Sequence, residues 1–132
     1  MTKNTVISLI FKISSFLFAV LIFSLSSIPY AHTPFEFRFS DKLLHLSVYL
    51  IFSILLFFAF HTSIRPFWQR NAYLFTLIIG IIYGLSDELH QGFVPGRQKD
   101  VFDFLADLLG VLLGLYVIWL SLKFRSKSKI VS

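Results

Sequence analysis

Four long apolar stretches constrain this chain more than any other feature of its sequence. They cover about residues 6–28, 43–60, 72–91 and 101–122. A helix needs about 20 mostly apolar residues to cross the hydrocarbon core of a bilayer. Backbone polar groups in that core must be paired without water, and the alternating pattern of a β-barrel is absent, so the spans must be helical. The sequence therefore predicts an all-α integral membrane bundle of four transmembrane helices.

The composition supports this class and excludes several others. Of the 132 residues, 56% are hydrophobic and only 14% are charged, whereas a soluble domain carries roughly 25% charged residues. The absence of cysteine excludes a disulfide framework, a thiolate nucleophile and a cysteine zinc site. The length fits a single domain covering residues 1–132. Proline disfavours helix at its own position and at the preceding one, and the connectors hold all four prolines, which are Pro29, Pro34, Pro66 and Pro95.

The distribution of charge predicts a multi-pass protein of the cell membrane with both termini in the cytoplasm. In that orientation the cytoplasmic segments hold eight Lys and Arg residues and the outer segments hold four, as the positive-inside rule requires. The basic residues flank apolar runs rather than cluster, so nucleic acid is not an expected partner. Residues 123–132 are expected to form a basic tail near anionic headgroups. A signal peptide is disfavoured because Pro29 precedes Ala31, the best cleavage position. All seven acidic residues lie on the outer side.

Three of the spans each have one face that is polar at its outer end, if consecutive residues are about 100° apart. The polar faces consist of Asp41, Lys42, His45 and Tyr49 on the second span, Asp87 and Gln91 on the third, and Asp100, Asp103 and Asp107 on the fourth. Toward the membrane centre, the faces of the third and fourth spans continue as Gly80, Gly84, Gly110 and Gly114. Such glycine pairs let helix backbones approach closely. If the two glycine faces meet each other, the acids above them meet too.

The polar residues allow several chemistries. In an enzyme, Asp87 or Glu88 would be the general acid/base if neighbours separate their pKa values, and His45 would be a second proton-transfer group. Arg97 and Lys42 would hold phosphate, and Asp103 would orient one of these groups. Ionisable residues deep in an apolar helix, such as Asp107, are usually paired and functional. Covalent catalysis is not expected, because no Ser or Cys nucleophile with a clear base stands out.

Two other interpretations of the same residues stay open. Asp, Glu and His side chains can hold a divalent cation, although the spacing matches no standard metal motif. Alternatively, the charges form a structural network in which Lys42 and Arg97 neutralise carboxylates, with Asp100 as the N-cap of the fourth span. An ion or proton carrier is disfavoured, since the inner halves of the spans lack acidic residues.

The polar motifs between positions 41 and 114 resemble the VanZ-like family. The matching elements are Asp41-Lys42-x-x-His45-x-x-x-Tyr49, Asp87-Glu88-x-His90-Gln91, Pro95-Gly96-Arg97 and Asp100-x-x-Asp103-x-x-x-Asp107-x-x-Gly110-x-x-x-Gly114. The family often has Asn at position 107, where this chain has Asp. The resemblance implies a small multi-helix membrane protein. The family is named for a protein linked to tolerance of the glycopeptide teicoplanin, and the resemblance implies no defined reaction.

These observations predict a cell-envelope protein with a polar site at the outer leaflet. We expect the site to bind or process an anionic lipid or a lipid-linked wall precursor; the alternative is a non-enzymatic protein whose charged cluster locks the helices or binds a ligand. No cofactor is predicted beyond the divalent metal left open above. The candidate acid/base residues are Asp87, Glu88 and His45. The candidate binding residues are Lys42, Arg97, Gln91, Asp103, Asp107, Asp41 and Tyr49.

Overall fold

The chain folds as a bundle of antiparallel helices in a computed structural model, which describes residues 3–29 and 38–128. The helices are α1 (Lys3–Ser26), α2 (Arg38–His61), α3 (Pro66–Arg70), α4 (Ala72–Gln91) and α5 (Val101–Ser128). In the described ranges there is no strand. Four of the helices are long and apolar enough to cross a membrane, over Asn4–Ser26, Asp41–His61, Ala72–Gln91 and Val101–Ser126. The predicted all-α bundle of four spans is confirmed.

The helix ends differ from the predicted spans in two places. Helix α2 begins at Arg38, ahead of the predicted start at 43, so Asp41 and Lys42 lie within its first turns. Helix α5 continues to Ser128 and includes the first part of the segment that was predicted as a tail. In that extension the Lys123 Nζ lies 4.6 Å from the centre of the Trp119 ring. The candidate cleavage position Ala31 and the end of the tail at 129–132 lie outside the described residues.

The short helix α3 lies in the connector between the second and third spans and was not predicted. Pro66 occupies its first turn. A proline is well suited to that position, because its fixed φ is helical and its missing N–H would have no partner there. The Trp68 ring stacks on Phe60 of α2 with 5.7 Å between ring centres, so α3 packs against the end of α2.

Helix α2 lies at the centre of the bundle and packs against α1, α4 and α5. Its Tyr49 and Phe52 side chains are buried with Ile22 of α1 and Val111 of α5. Many large apolar side chains elsewhere on the helices point outward. The side chain of Phe16, for example, is 67% exposed. Spans that are apolar on all sides in this way are typical of helices in a lipid environment.

The glycines of α4 pack against α5. A Cβ atom added to Gly80 would lie 2.8 Å from Cγ2 of Val111, and one added to Gly84 would lie 3.3 Å from Cβ of Asp107. The small residues therefore let α5 side chains reach the backbone of α4, including the side chain of Asp107.

The glycines of α5 pack against α2 instead of α4. A Cβ atom on Gly110 would collide with the carbonyl oxygen of Leu46, and one on Gly114 would lie 2.8 Å from the carbonyl oxygen of Leu50. The two glycine faces therefore do not meet each other, and the condition from which the sequence analysis inferred that the acids meet is not fulfilled. Because α5 lies between two neighbours, it needs small residues toward α2 while its valine and aspartate side chains fill the glycine face of α4.

All the helix ends that bear the predicted site lie at one end of the bundle, which we call the acidic end. Helices α1 and α4 end there, and α2 and α5 begin there. The connector from 92 to 100 crosses this end between α4 and α5. The acidic residues of three spans are thus brought together by the antiparallel arrangement of the helices.

Candidate functional site

The predicted site residues converge at the acidic end, and we call them the polar cluster. Its members are Asp41, Lys42, His45 and Tyr49 from α2, Asp87, Glu88 and Gln91 from α4, Arg97 and Asp100 from the connector, and Asp103 and Asp107 from α5. Asp87, Glu88, Gln91, Asp103 and Asp107 are all less than 10% exposed. Burying an ionised side chain is costly unless it is paired, so the partners of each residue determine what the cluster can do.

Lys42 joins α2 to the beginning of α5. Its ammonium donates to Oδ2 of Asp100 and to Oδ1 of the buried Asp103. Asp100 is also the N-cap of α5, because its Oδ1 accepts a hydrogen bond from the backbone N–H of Phe102 at 2.8 Å. The Lys42 ammonium holds the pKa of the Asp100 carboxyl below its ordinary value of 3.8. This part of the cluster matches the predicted network of charge pairs.

His45 and Asp107 form a second pair one turn deeper along α2 and α5. The Nδ1 atom of His45 lies 2.9 Å from Oδ1 of Asp107. Asp107 is 1% exposed and the His45 side chain 10%. The second oxygen of Asp107, Oδ2, is buried and has no hydrogen-bond partner among the described residues. An unpaired oxygen on a buried carboxylate is costly, so this position calls for a proton, a water molecule or a cation.

A chain of hydrogen bonds runs from Asp87 to the end of α1. Gln91 donates from Nε2 to Oδ2 of Asp87 at 3.1 Å, and Arg97 donates from Nη1 to Oε1 of Gln91 at 3.2 Å. Arg97 also donates to the carbonyl oxygens of Ile28 at 3.0 Å and Leu25 at 3.3 Å. The last carbonyl groups of a helix have no partner within that helix. Arg97 therefore caps the C-terminal end of α1 while it faces the cluster.

A tight turn in the connector places Arg97. Gly96 has a φ of 79°, in the left-handed region that glycine adopts without a steric penalty. The backbone N–H of Arg97 then donates to the carbonyl oxygen of Val94 at 3.1 Å. The turn directs the chain back across the end of α4, so that the guanidinium group reaches both α1 and α4.

Glu88 connects the end of α4 to the start of α5. Its Oε2 accepts a hydrogen bond from the backbone N–H of Asp100 at 3.0 Å. Its other oxygen, Oε1, is buried and has no partner among the described residues. Glu88 thus supports the connector and keeps one oxygen free for a proton or a ligand.

A small cavity of about 70 Å³ opens beside the cluster. A buried water molecule needs about 10–15 Å³ of such volume, so the cavity has room for roughly five water-sized groups. Its polar wall consists of Ser26, Asp41, His45, Tyr49, Asp87, Gln91 and Arg97. Its other wall is apolar and includes Leu25 of α1 and Leu44 of α2, which are 46% and 59% exposed. Lys42, Glu88, Asp103 and Asp107 surround the cavity without lining it.

Sequence reasoning missed a set of contacts between α1 and α4. The hydroxyl of Tyr83 donates to the carbonyl oxygen of Ala19 at 2.6 Å. Nε2 of His90 lies 2.9 Å from Oγ of Ser27, and its ring stacks on Phe23 with 4.5 Å between ring centres. Tyr83 and His90 are seven residues apart and therefore lie on one helix face. From that spacing, the sequence could have predicted a second polar face on the third span.

Two groups of three side chains in the cluster have the composition and spacing of a metal site. One group is Asp41, His45 and Asp103, and the other is His45, Asp87 and Asp107. In each group the potential ligand atoms lie within 4.8 Å of one another. Neither group forms a short sequence motif, because its members come from two or three different helices.

Comparison with known proteins identifies a family for this chain. The VanZ/LLP1 family model matches residues 4–122. This range includes the first three spans, the fourth span as far as residue 122, and the whole polar cluster. The uncharacterized protein C11E3.10 of Schizosaccharomyces pombe is 34% identical over 76 residues, which are 58% of this chain and 44% of the yeast protein. The chain thus spans less than half the length of that relative. No solved structure matches the chain. The predicted resemblance to the VanZ-like family is confirmed.

Proposed function

This chain belongs to the VanZ/LLP1 family, and we propose that it is a cell-envelope protein that binds the phosphate group of an anionic lipid or a lipid-linked wall precursor. In this proposal both termini are cytoplasmic and the acidic end lies at the outer leaflet of the bacterial cytoplasmic membrane. The association with teicoplanin tolerance belongs to the family as a whole.

The observation that carries the proposal is the two-sided cavity. One wall is formed by charged and polar side chains, including Arg97 and His45, and the other by exposed leucines of α1 and α2. Ligand sites commonly combine an apolar lining with a few placed polar groups. A lipid has the matching chemistry, since its headgroup would occupy the polar side while its hydrocarbon chain would follow Leu25 and Leu44 into the bilayer.

Arg97 is the cavity residue best suited to a phosphate. A guanidinium group has five N–H donors, and three of those in Arg97 are used by Gln91, Leu25 and Ile28. Two donors remain for a ligand. Lys42 has three N–H donors and uses two of them on Asp100 and Asp103, so one remains at the edge of the cluster.

For a processing enzyme that acts without a metal ion, the cavity favours Asp87 and His45 as the proton-transfer groups. Both line the cavity, whereas Glu88 does not and is engaged with the backbone N–H of Asp100. A general acid or base must come within hydrogen-bond reach of the reacting group. Glu88 would then act as a support for the connector.

A structural role is the second candidate, and the contacts of Lys42 and Arg97 favour it. Lys42 joins α2 to α5, and Arg97 joins the connector to α1. Both cations would hold the helices together even if no ligand ever entered the cavity. A substitution of a cavity residue that makes no such contacts distinguishes the two roles, because it would change ligand binding without loosening the helices.

A binding experiment with two oppositely charged variants tests the proposal. Purified full-length protein is mixed with phosphatidylglycerol or a polyprenyl phosphate, with an uncharged diacylglycerol for comparison, and the bound lipid is measured by native mass spectrometry. Arg97→Gln should weaken binding of both phosphate lipids at least tenfold, since a hydrogen bond to a charged group contributes about 1.5–3 kcal/mol. Asp41→Asn should strengthen binding, because it removes a negative charge from the cavity wall. Preference for one phosphate lipid would identify the ligand class.

Arg70→Gln, at the opposite end of the bundle, is the matched control and should bind like the wild type. Because Arg97 also caps α1, melting temperatures are measured beside binding. The proposal fails if Asp41→Asn and Arg97→Gln both bind phosphate lipids as the wild type does. A loss of stability in Arg97→Gln without specific lipid binding by the wild type would favour the structural role.

Reporter fusions test the proposed orientation separately. A fusion after Arg70 should report a cytoplasmic location, and a fusion after Gly96 an external one, because the basic residues favour that orientation. The reverse pattern would place the acidic end in the cytoplasm and exclude an outer-leaflet site.

A further inference from the structure

The negative charges of the polar cluster are only partly compensated. Lys42 pairs with Asp100 and Asp103. The other cation, Arg97, donates to an amide and to two backbone carbonyls, and it forms no ion pair with a carboxylate among the described residues. Asp87 and Asp107 are both less than 10% exposed; in the part of the chain that the structure describes, neither pairs with Lys42 or Arg97, and the base beside them is His45. A buried carboxylate without a cationic partner is unfavourable.

Buried oxygen atoms without hydrogen-bond partners lie beside the carboxylates whose negative charge is not compensated. Within the described ranges, Oδ2 of Asp107 and the hydroxyl oxygen of Tyr49 are both buried and have no hydrogen-bond partner. Both residues are 1% exposed. Gly84 leaves the space beside them, since a Cβ atom there would lie 3.3 Å from Oδ2 of Asp107 and 3.5 Å from Cε1 of Tyr49. Tyr49 in turn lines the cavity, and Asp107 lies behind that wall, next to His45.

We infer that His45, Asp87 and Asp107 bind one divalent transition-metal ion beside the cavity, whose wall includes His45 and Asp87. Their potential ligand atoms lie within 4.8 Å of one another, and α2, α4 and α5 contribute one residue each. Three protein ligands with a further position open to a cavity are typical of metal sites that act on a ligand. The ion would supply the positive charge that Asp87 and Asp107 lack.

The ligand set favours Zn²⁺ or Mn²⁺ over Mg²⁺ and Ca²⁺. An imidazole nitrogen suits first-row transition ions, and carboxylates suit both groups of ions. Ca²⁺ takes six to eight oxygen ligands and Mg²⁺ requires a nearly ideal octahedron, which one histidine and two aspartates do not provide. Metal ligands must be deprotonated, so the ion would replace the proton that His45 and Asp107 share at 2.9 Å.

The second group, Asp41, His45 and Asp103, is the poorer site. Asp103 already accepts a hydrogen bond from the Lys42 ammonium, and that positive charge would repel an ion bound at the same carboxylate. A metal ion there would also have to break the link between α2 and α5. The deeper group contains no residue that is paired with Lys42 or Arg97.

A bound ion would explain how an acidic cluster accepts an anionic ligand. The ion would place positive charge beside the cavity, and a phosphate oxygen would take its open position while Arg97 holds the same group from the cavity wall. This consequence rests on the proposed function. Binding of the ion does not depend on the proposed function, and it is measured without any lipid.

Metal binding to full-length protein in detergent tests the inference. The protein is stripped with a chelator and titrated with Zn²⁺, Mn²⁺, Mg²⁺ or Ca²⁺ by calorimetry, and bound metal is counted by mass spectrometry. We expect about one Zn²⁺ or Mn²⁺ per chain and at least tenfold weaker binding of Mg²⁺ and Ca²⁺. Asp107→Asn and Asp87→Asn should each weaken Zn²⁺ or Mn²⁺ binding at least tenfold. Asp100→Asn is the matched control, because it removes a charge at the same end of the bundle and Asn is an equally good N-cap.

The inference is overturned if folded wild-type protein binds no Zn²⁺ or Mn²⁺, or if both variants bind these ions as tightly as the control. If the variants do not fold, the wild-type protein still tests the inference. An ion that joins three helices must raise the melting temperature of the wild-type protein in a concentration-dependent way. An unchanged melting temperature at saturating Zn²⁺ and Mn²⁺ would contradict the site. One bound ion without phosphate-lipid binding would support the metal site and refute the proposed function.

Discussion

The contact between α5 and α2 at Gly110 gives the sharpest test of the fold. Gly110→Ala adds one methyl group where the backbone of α2 leaves no space, because the new Cβ would collide with the carbonyl oxygen of Leu46 and lie 3.0 Å from the backbone nitrogen of Leu50. Neither atom can rotate away, so the two helices must separate. Separation at this point would also strain the pair between His45 and Asp107, one turn closer to the acidic end.

The expected cost follows from two opposing effects. Alanine is favoured over glycine in a helix by about 1 kcal/mol, and overpacking typically costs about 1–3 kcal/mol. At Gly110 the clash is with backbone, so the cost lies near 3 kcal/mol and the net loss of stability near 2 kcal/mol. At Gly84 the nearest atoms are Cβ and Oδ2 of Asp107 at 3.3 Å, where small shifts suffice and the two effects nearly cancel.

Reversible unfolding in mixed detergent and SDS micelles, followed by circular dichroism, measures the difference. Gly110→Ala should lower the free energy of unfolding by about 2 kcal/mol relative to Gly84→Ala, which serves as the matched glycine substitution in a transmembrane helix. Equal stability of the two variants, within about 0.5 kcal/mol, would refute the close approach of α2 and α5 at Gly110.

Three further predictions concern single contacts. Lys42→Met leaves the buried Asp103 without its cation and should lower the unfolding free energy by about 3–5 kcal/mol, with Lys99→Met as an exposed control. Tyr83→Phe removes the hydrogen bond to the carbonyl oxygen of Ala19 and should cost about 0.5–1.5 kcal/mol in the same assay; no change would mean that the bond does not stabilise the packing of α1. The pKa of Asp100 is lower in the folded protein than its ordinary value of 3.8, so its contribution to stability is present above about pH 4 and lost as the pH falls through the folded pKa. Melting curves below pH 4 should therefore show a smaller acid-induced loss in Asp100→Asn than in the wild type.

The four spans were predictable because each is encoded locally. A run of about 20 apolar residues needs no information from the rest of the chain to be recognised as a span. The convergence of the acids was also predictable, since antiparallel spans place alternate helix ends together and the acids lie at those ends. Asp103 and Asp107 are four residues apart, so their spacing alone places both on one polar face of α5.

The partner of each residue was not predictable from the sequence. Residue spacing gives the face of a helix but not the neighbour that the face meets. The glycines of α5 face α2, although the similar spacing in α4 suggested that the two glycine faces meet. The roles of Arg97 also depend on the distant carbonyl groups of Leu25 and Ile28, and backbone acceptors leave no mark on a sequence.

The contacts divide the polar cluster into two layers with different roles. The outer layer contains Lys42, Asp100 and Asp103, whose charges are paired with one another, so its main effect is to hold α2 against α5. The inner layer contains His45 and Asp107, where a buried carboxylate oxygen has no partner among the described residues. A cluster that served only as a lock would have paired this oxygen too, since an unpaired buried polar group lowers stability. The structural and functional interpretations therefore apply to different residues: substitutions in the outer layer should reduce stability first, and Asp107→Asn should reduce ligand binding while the helices stay packed.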